Sequence, residues 1–198
     1  MRHYECTLLQ APDERLQAAG VATRALRDNP VAMAISQDPL SRLEMPYAIF
    51  RSQNLEPSSL TAGARIGEYI LAMAGAAAPG QCISSMLPEQ MRSTREPEHT
   101  ASDGDRMVYA GSVMADHDLL EPHWHIGPVG VEPGLQGMGV GKAVMRVLCD
   151  NLDQRGSVGW LETDKPQNIR FYVGLGFELV EEAPMLSARF WFMRRDPR

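Results

Sequence analysis

The sequence predicts an α/β or α+β fold in which helices flank a mixed β-sheet. Helical patterns fill the first part of the chain, and the second half alternates strand, helix, strand, helix, strand and strand. The composition, with 44% hydrophobic and 22% charged residues, is typical of a globular protein. The length of 198 residues suits one domain, so we expect a single domain over residues 1–198.

Two helices are predicted at the start of the chain. Residues 12–28 carry apolar side chains at helical spacing, and Pro12 suits the first turn of a helix. The Asn29–Pro30 pair is expected to end this helix. A second helical pattern covers residues 39–53, where Pro46 predicts a kink or a division into two shorter helices.

The middle of the chain predicts a hairpin followed by a long connection. Gly67 and Glu68 separate two apolar runs, and the second run is a predicted strand over residues 69–76. Residues 81–103 contain several Pro and Ser residues and predict a long loop with room for one short helix. Residues 105–118 show a weak helical pattern.

The second half of the chain gives the clearest pattern. Pro and Gly residues bound most of its segments, which supports dividing it into short elements. Apolar periodicity predicts strands over residues 123–131, 158–163, 177–182 and 189–194, and helices over residues 139–154 and 168–175.

Charge and composition exclude several classes of function. The chain carries 19 Lys and Arg against 25 Asp and Glu, and a net charge of −6 does not suit a nucleic-acid or membrane-surface binder. The longest apolar tract, residues 69–78, is too short to span a bilayer, and residues 1–6 lack the apolar run of a signal peptide. We therefore expect a soluble cytoplasmic protein with neither a nucleic-acid nor a membrane partner.

The three cysteines predict no cross-link. Cys6, Cys82 and Cys149 lie far apart in the chain, so neither a disulfide framework nor a CxxC metal pair is predicted. Free thiols in a reducing cytosol are the expected state.

A glycine-rich loop lies between the predicted strand 123–131 and the predicted helix 139–154. Gly137, Gly139 and Gly141 remove side chains at alternate positions, which exposes consecutive backbone N–H groups at the start of the helix. Because these donors and the helix dipole favour anions, the loop predicts a phosphate-bearing ligand.

Two common phosphate motifs do not fit this loop. A Walker A motif needs GxxxxGK[ST], but Gln136 stands five residues before Gly141, and Ala143 replaces the hydroxyl residue after Lys142. A dinucleotide fingerprint needs GxGxxG, and the last spacing here is too short. The nucleotide-binding alternative, which predicts magnesium-dependent ATP binding, is therefore disfavoured.

A third pattern, Gln-x-x-Gly-x-Gly, is present at Gln136, Gly139 and Gly141. Together with the preceding strand and a second block from Leu161 to Phe177, it resembles the GNAT superfamily of N-acetyltransferases, over residues 123–182. The resemblance implies a mostly antiparallel twisted sheet whose central strands splay apart. It also implies that acetyl-coenzyme A (acetyl-CoA) binds at the splay.

The resemblance further implies which residues hold acetyl-CoA. Main-chain atoms around Val129 and Val131 would bind the pantetheine arm, and Pro128 suits an irregular strand there. The loop amides would bind the pyrophosphate, and the helix over residues 168–175 would line the other side. The implied cofactor-binding residues are Val129, Gly130, Val131, Gln136, Gly137, Met138, Gly139, Val140, Gly141, Lys142, Asn168, Phe171 and Tyr172.

Acetyl transfer to an amine needs a polarised thioester carbonyl, a proton acceptor and a proton for the leaving thiolate. The N–H near Val129 would polarise the carbonyl. Tyr172 stands where many members of the superfamily place the proton donor, although a packed aromatic residue is the alternative. His125 is the first choice for the base, because an ordinary histidine pKa is about 6.5, although it could instead only shape the acceptor pocket.

Other readings of the polar residues stay open. His123 is expected beside His125 on one strand face, and with His117 the pair raises the question of a zinc site. The sequence identifies no further ligands, so we expect no metal. Glu132 and Glu162 are expected to be solvated or capping residues.

The sequence therefore predicts an acyltransferase that moves the acetyl group of acetyl-CoA to a primary amine of a small molecule, by direct attack in a ternary complex. The alternative is a non-catalytic acyl-CoA-binding or sensor module that keeps the glycine loop. The sequence does not identify the acceptor amine, and it leaves room for a homodimer.

Overall fold

A computed structural model describes residues 4–198, apart from the side chain of Ser84. Residues 1–3, which belong to the segment expected not to be a signal peptide, lie outside the described residues. The strands are β1 (Glu5–Leu8), β2 (Leu60–Ile66), β3 (Tyr69–Ala77), β4 (His123–Val131), β5 (Val158–Thr163), β6 (Glu178–Met185) and β7 (Ala188–Arg195). The helices are α1 (Pro12–Leu26), α2 (Pro30–Ile35), α3 (Ser41–Leu55), α4 (Ile83–Met86), α5 (Asp103–Asp116), α6 (Val140–Gln154) and α7 (Pro166–Val173).

The seven strands form one sheet in the order β1-β2-β3-β4-β5-β7-β6. Every neighbouring pair is antiparallel except β4 and β5, which run parallel. The predicted fold class, a mixed and mostly antiparallel sheet flanked by helices, is confirmed.

The helices cover both faces of the sheet because successive strand residues point to opposite sides. Ala72 and Ala74 belong to the core under α6 and α7, whereas Met73 between them packs with α1. In the same way Leu161 faces α6, and Trp160 belongs to the core beneath α2 and α5. The alanine-rich surface of β2 and β3 lets α6 lie close to the sheet.

The central strands part after three residues. His123, Trp124 and His125 of β4 pair with residues 158–160 of β5, and no pairing follows beyond that point. On its other edge β4 stays paired with β3 as far as Val131, although the register shifts because residues 126–129 of β4 oppose residues 74–76 of β3. The extra residue is a β-bulge at Gly127 and Pro128, and the predicted splay of the central strands is confirmed.

Several predicted elements differ in the structure. The second helix is one continuous helix, α3, that contains Pro46, so of the two predicted alternatives the division into two helices is wrong. Pro30 does follow the end of α1, but it is also the first residue of α2, which the sequence analysis missed because Pro is favourable at that helix position. The short strand β1 was also missed.

A long connection of residues 78–122 joins β3 to β4, and we call it the β3–β4 connection. It contains α4, a 3₁₀ turn at Glu89–Met91 and α5, whose N-cap Ser102 forms a capping box with Asp105. Across residues 4–198, none of the helices combines the length and apolar character needed to cross a membrane.

Candidate active site

The gap between β4 and β5 is where the sequence analysis expected the cofactor. Val129, Gly130 and Val131 pair with β3 on one edge only, and their other edge faces the gap. Strand-edge N–H and C=O groups need hydrogen-bond partners. An extended ligand that carries amide groups can supply these partners in the manner of an added strand.

The glycine loop lies at the end of this gap. Gly137 and Gly139 have φ angles of +77° and +83°, which L side chains rarely adopt. Gly139 directly precedes α6, and the first amides of a helix have no acceptor within the helix. The loop is exposed, so these amides are accessible, and together with the helix dipole they favour an anion at this point.

The third glycine of the motif has a packing role as well. A Cβ atom on Gly141 would lie 3.0 Å from Cγ2 of Val131, so the absence of a side chain lets α6 begin directly against the end of β4. Gln136 Nε2 donates a hydrogen bond to the carbonyl of Val131 at 3.2 Å, which folds the loop back onto the strand. Met138 and Lys142 are exposed on either side of the helix start.

The residues predicted on the other side of the cofactor lie on α7, which follows β5 directly. Asn168 Nδ2 donates a hydrogen bond to Oγ1 of Thr163 at 3.1 Å and thereby ties α7 to the end of β5. Phe171 is half-buried and packs edge-on against Tyr172 at a ring separation of 5.0 Å. Tyr172 is buried and also packs edge-on against Phe177 at 5.8 Å.

His125 is buried between two carboxylates at the point where the strands part. Its Nε2 lies 2.8 Å from Oε2 of Glu162, and its Nδ1 lies 3.6 Å from Oδ1 of Asp118. Nε2 therefore donates a hydrogen bond to Glu162, whereas Nδ1 faces Asp118 at ion-pair distance without a hydrogen bond of normal geometry. His123 is its neighbour on the same face, with ring centroids 6.2 Å apart, while Trp124 faces α6.

The environment of His125 changes its acid–base behaviour. Burial alone lowers the pKa of this imidazole, but the charge of Glu162 and then the carboxylate of Asp118 outweigh burial and raise the pKa to about 10. The ordinary pKa of about 6.5 assumed in the sequence analysis therefore does not hold. Glu162 is not the solvated or capping residue that was expected, because its side chain is mostly buried against His125.

The hydroxyl of Tyr172 keeps its proton at neutral pH. Burial raises the pKa of this phenol well above its ordinary value, and the nearby carboxylates of Glu162 and Asp164 raise the pKa further. The ring is part of the core under α6, so the packed aromatic role that the sequence left open is present in the structure.

Sequence reasoning missed Glu162 and Asp118. Glu162 lies two residues after Trp160 on β5 and therefore shares the face on which His125 lies, so the strand alternation held a usable signal. Asp118 comes from the end of the β3–β4 connection, and no local pattern indicates that it returns to β4. Glu132 fits its expected surface role, since Arg24 Nη2 donates to its Oε1 at 2.5 Å.

A groove of about 990 Å³ lies on the surface between α1, α3 and the start of β3. Tyr47, Tyr69 and Glu132 are among its lining residues, whereas His125, Glu162 and Tyr172 are not. The groove is therefore separate from the histidine–carboxylate cluster and does not define an acceptor pocket for it.

Comparison with known proteins agrees with this architecture. The sequence matches the Acetyltransferase (GNAT) family over residues 28–177. A Glycine max protein named "Probable acetyltransferase TAP2" is 28% identical over 110 residues, which are 55% of this chain and 42% of that protein. This chain thus aligns with less than half the length of that curated relative. The family match covers most of the chain, and the chain belongs to the GNAT acetyltransferase family.

Solved structures share the fold at low sequence identity. A crystal structure of an agmatine N-acetyltransferase mutant in its apo form has a TM-score of 0.71 and 13% identity, with 98% of this chain and 99% of that chain covered. The PaiA N-acetyltransferase from Thermoplasma acidophilum, solved in complex with coenzyme A, has a TM-score of 0.63 and 9% identity, with 98% and 99% covered. These likenesses concern the fold.

Proposed function

We propose that this chain transfers the acetyl group of acetyl-CoA to a primary amine of a small molecule by direct attack in a ternary complex. The observation that carries the proposal is the gap between β4 and β5. An anion-binding helix terminus lies at one end of the gap, and the buried His125–Glu162 pair lies where the gap begins. Membership of the GNAT acetyltransferase family supports the same chemistry.

Acetyl-CoA would occupy the gap in an extended form. The pyrophosphate would accept hydrogen bonds from the amides of residues 137–142, and the pantetheine amides would pair with the free edge of Val129, Gly130 and Val131. Asn168, Phe171 and Tyr172 on α7 would line the opposite side. The net charge of −6 does not oppose this arrangement, because backbone amides make the phosphate contacts.

In the proposed reaction the neutral amine attacks the thioester carbonyl carbon, a C–N bond forms, and the C–S bond then breaks. The backbone N–H near Val129 would stabilise the oxyanion. Tyr172 would give its proton to the departing sulfur, and the amine proton would pass to the carboxylate of Glu162, directly or through a water molecule. We assign the acceptor role to Glu162 because both nitrogens of His125 face carboxylates, so His125 acts by holding Glu162.

The acceptor is expected to be a cation before it loses its proton. Asp118 is already paired with His123, but the carboxylate of Glu162, which takes the amine proton in this proposal, can also pair with an ammonium group. The agmatine N-acetyltransferase that shares this fold acts, by its name, on an amine of this kind. Small polyamines and guanidino amines are therefore the first substrates to test.

Calorimetric titration with acetyl-CoA, followed by a thiol-release assay over a panel of small amines, tests the proposal. We expect saturable cofactor binding and amine-dependent release of coenzyme A. Absence of binding at millimolar acetyl-CoA would contradict the proposal. Binding without turnover on any amine would instead favour the non-catalytic acyl-CoA-binding module.

A further inference from the structure

Three side chains that the proposed reaction does not use as a group converge beside β4. Cys82 directly precedes α4, Asp118 follows α5, and His123 is the first residue of β4. One ligand atom from each, a sulfur, an oxygen and a nitrogen, all lie within 4.8 Å of one another. The side chains of Asp118 and His123 are 2% and 3% exposed, and Cys82 is 5% exposed.

The hydrogen bonding of His123 leaves one nitrogen directed into this cluster. Its Nδ1 lies 2.9 Å from the carbonyl oxygen of Glu121, which can only accept, so Nδ1 carries a proton. In the neutral ring the lone pair is then on Nε2, which lies 2.8 Å from Oδ1 of Asp118. Among the described residues, no partner forms a hydrogen bond of normal geometry with this buried Nε2.

A lone pair that faces a carboxylate at this distance is repulsive unless a positive charge lies between them. One solution is a second proton on His123, which gives an imidazolium paired with Asp118. The other is a metal ion shared by the lone pair, the carboxylate and the sulfur of Cys82. A proton on His123 is shared only with Asp118, and Cys82 then keeps its own contacts, such as Ser85 Oγ at 3.8 Å. A metal ion would give the nitrogen, the oxygen and the sulfur one common partner.

The arrangement does not suit a nucleophilic triad. In such a triad the acid binds one ring nitrogen and the nucleophile binds the other. Here the Glu121 carbonyl occupies Nδ1, and Asp118 is at Nε2. A ring N–H bonded to a backbone carbonyl, with the other nitrogen turned toward acidic ligands, is instead the usual arrangement of a metal-binding histidine.

We propose that Cys82, Asp118 and His123 bind one divalent transition-metal ion, with Zn²⁺ as the preferred ion. Thiolate, imidazole and carboxylate are the ligands that zinc takes in proteins, and three protein ligands leave a fourth position for water. Tetrahedral zinc with these bond lengths places its ligand atoms roughly 3.3–3.6 Å apart. The atoms of the cluster reach this spacing by small side-chain movements.

The sequence analysis expected no metal because it looked for partners among the histidines. His117, the third of them, instead stacks on Phe192 at a ring separation of 4.7 Å. The ligands that complete the cluster come from the two ends of the β3–β4 connection. A bound ion would therefore fasten both ends of this connection to β4.

Cobalt binding to the chelator-treated full chain tests the site, since Co²⁺ replaces Zn²⁺ and reports a thiolate ligand by charge-transfer absorption in the near ultraviolet. We expect one equivalent of Co²⁺ with this band in the parent protein and in Cys6→Ala. We expect the band to be lost in Cys82→Ala, and affinity to fall at least about tenfold in His123→Gln. Cys6 is the matched control because it lies on β1, away from the cluster.

A second measurement needs no variant. Zn²⁺ at saturating concentration should protect Cys82, and not Cys6, from alkylation mapped by mass spectrometry, and should raise the melting temperature of the parent protein. Sub-stoichiometric binding, a charge-transfer band that survives in Cys82→Ala, or alkylation of Cys82 unchanged by Zn²⁺ would overturn the proposal. Sub-stoichiometric metal binding would mean that His123 is an imidazolium paired with Asp118. None of these readouts depends on acetyl transfer.

Discussion

Gly139 is proposed to contribute to the anion site through its backbone conformation. Its φ of +83° is costly for any residue with a Cβ atom, by about 1–2 kcal/mol. The free loop of a Gly139→Ala variant would relax out of this conformation, and cofactor binding would have to restore it. We therefore expect acetyl-CoA binding to weaken about tenfold, a factor that corresponds to about 1.4 kcal/mol. Calorimetric titration measures it. Gly134→Ala is the matched control, because Gly134 lies in the same loop without a positive φ and a Cβ there meets no atom within 4 Å. Equal affinities for the two variants would contradict the role of Gly139.

Tyr172 is proposed to give its proton to the leaving sulfur. Tyr172→Phe keeps the ring that packs against Phe171 and Phe177 and removes only the hydroxyl. We expect turnover to fall by about 10²–10⁴ while the dissociation constant of acetyl-CoA stays within about twofold. Tyr109→Phe on α5 serves as the control. Turnover equal to that of the parent would remove Tyr172 from the reaction.

Glu162 is proposed to take the proton of the amine. Glu162→Gln keeps the size of the side chain and removes its negative charge, so we expect a similar loss of turnover, about 10²-fold or more, with little change in cofactor affinity. Steady-state kinetics with saturating amine measures this loss. Glu182→Gln on β6, whose carboxylate pairs with Arg189 at the surface, should leave the rate unchanged. A fully active Glu162→Gln enzyme would mean that solvent takes the proton.

Individual side chains were predictable from sequence where a motif places them, and not where packing does. The glycine loop was found because three glycines in a fixed spacing indicate exposed amides. The raised pKa of His125 was missed because it arises from two carboxylates, Glu162 and Asp118, which are 37 and 7 positions away in the sequence. Only the sheet register and the return of the β3–β4 connection bring these groups together.

At the scale of elements, α1 and β4 approach each other through a glycine. A Cβ atom on Gly130 would lie 2.8 Å from the backbone Cα of Ala22, so the helix or the strand would have to move. We expect Gly130→Ala to lower the free energy of unfolding by about 1–3 kcal/mol, as overpacking does. Urea unfolding measures this, with Gly134→Ala as the control. A loss smaller than about 0.5 kcal/mol would show that α1 yields without cost.

The prediction of elements succeeded where the apolar period and the flanking residues agreed. The predicted bounds of β4 and β5 agree with the structure, because Pro and Gly residues flank clear apolar runs there. The predicted start of α6 differs from the observed start by one residue. The helix α2 was missed because Pro30 was taken only as a stop. The splay of the central strands at an irregular β4 was expected from the family resemblance, whereas the packing of Gly130 against α1 needs the tertiary structure.

At the scale of the whole molecule, one buried ion pair joins α6 to the C-terminal end of the chain. Arg195 donates two hydrogen bonds to the carboxylate of Asp153, both at 2.7 Å, and a third from its Nε to the carbonyl of Leu175. The backbone N–H of Arg198 also donates to Asp153 at 2.9 Å. Hydrogen bonding from Arg195, aided by that N–H, holds the pKa of Asp153 below its ordinary value despite partial burial.

A carboxylate whose pKa is lower in the folded than in the unfolded chain stabilises the fold above the unfolded pKa, about 3.9 for Asp, and loses this effect as the pH falls through the folded pKa. Asp153→Asn leaves the buried guanidinium without its counter-charge, so we expect about 3 kcal/mol less unfolding free energy at pH 7. The difference from the parent should shrink as the pH falls below about 4. Denaturant unfolding across pH measures both. Asp196→Asn, which breaks an exposed pair with Arg194, should cost less than about 1 kcal/mol. A difference in unfolding free energy between the parent and Asp153→Asn that stays constant with pH would show that packing, and not charge, joins these elements.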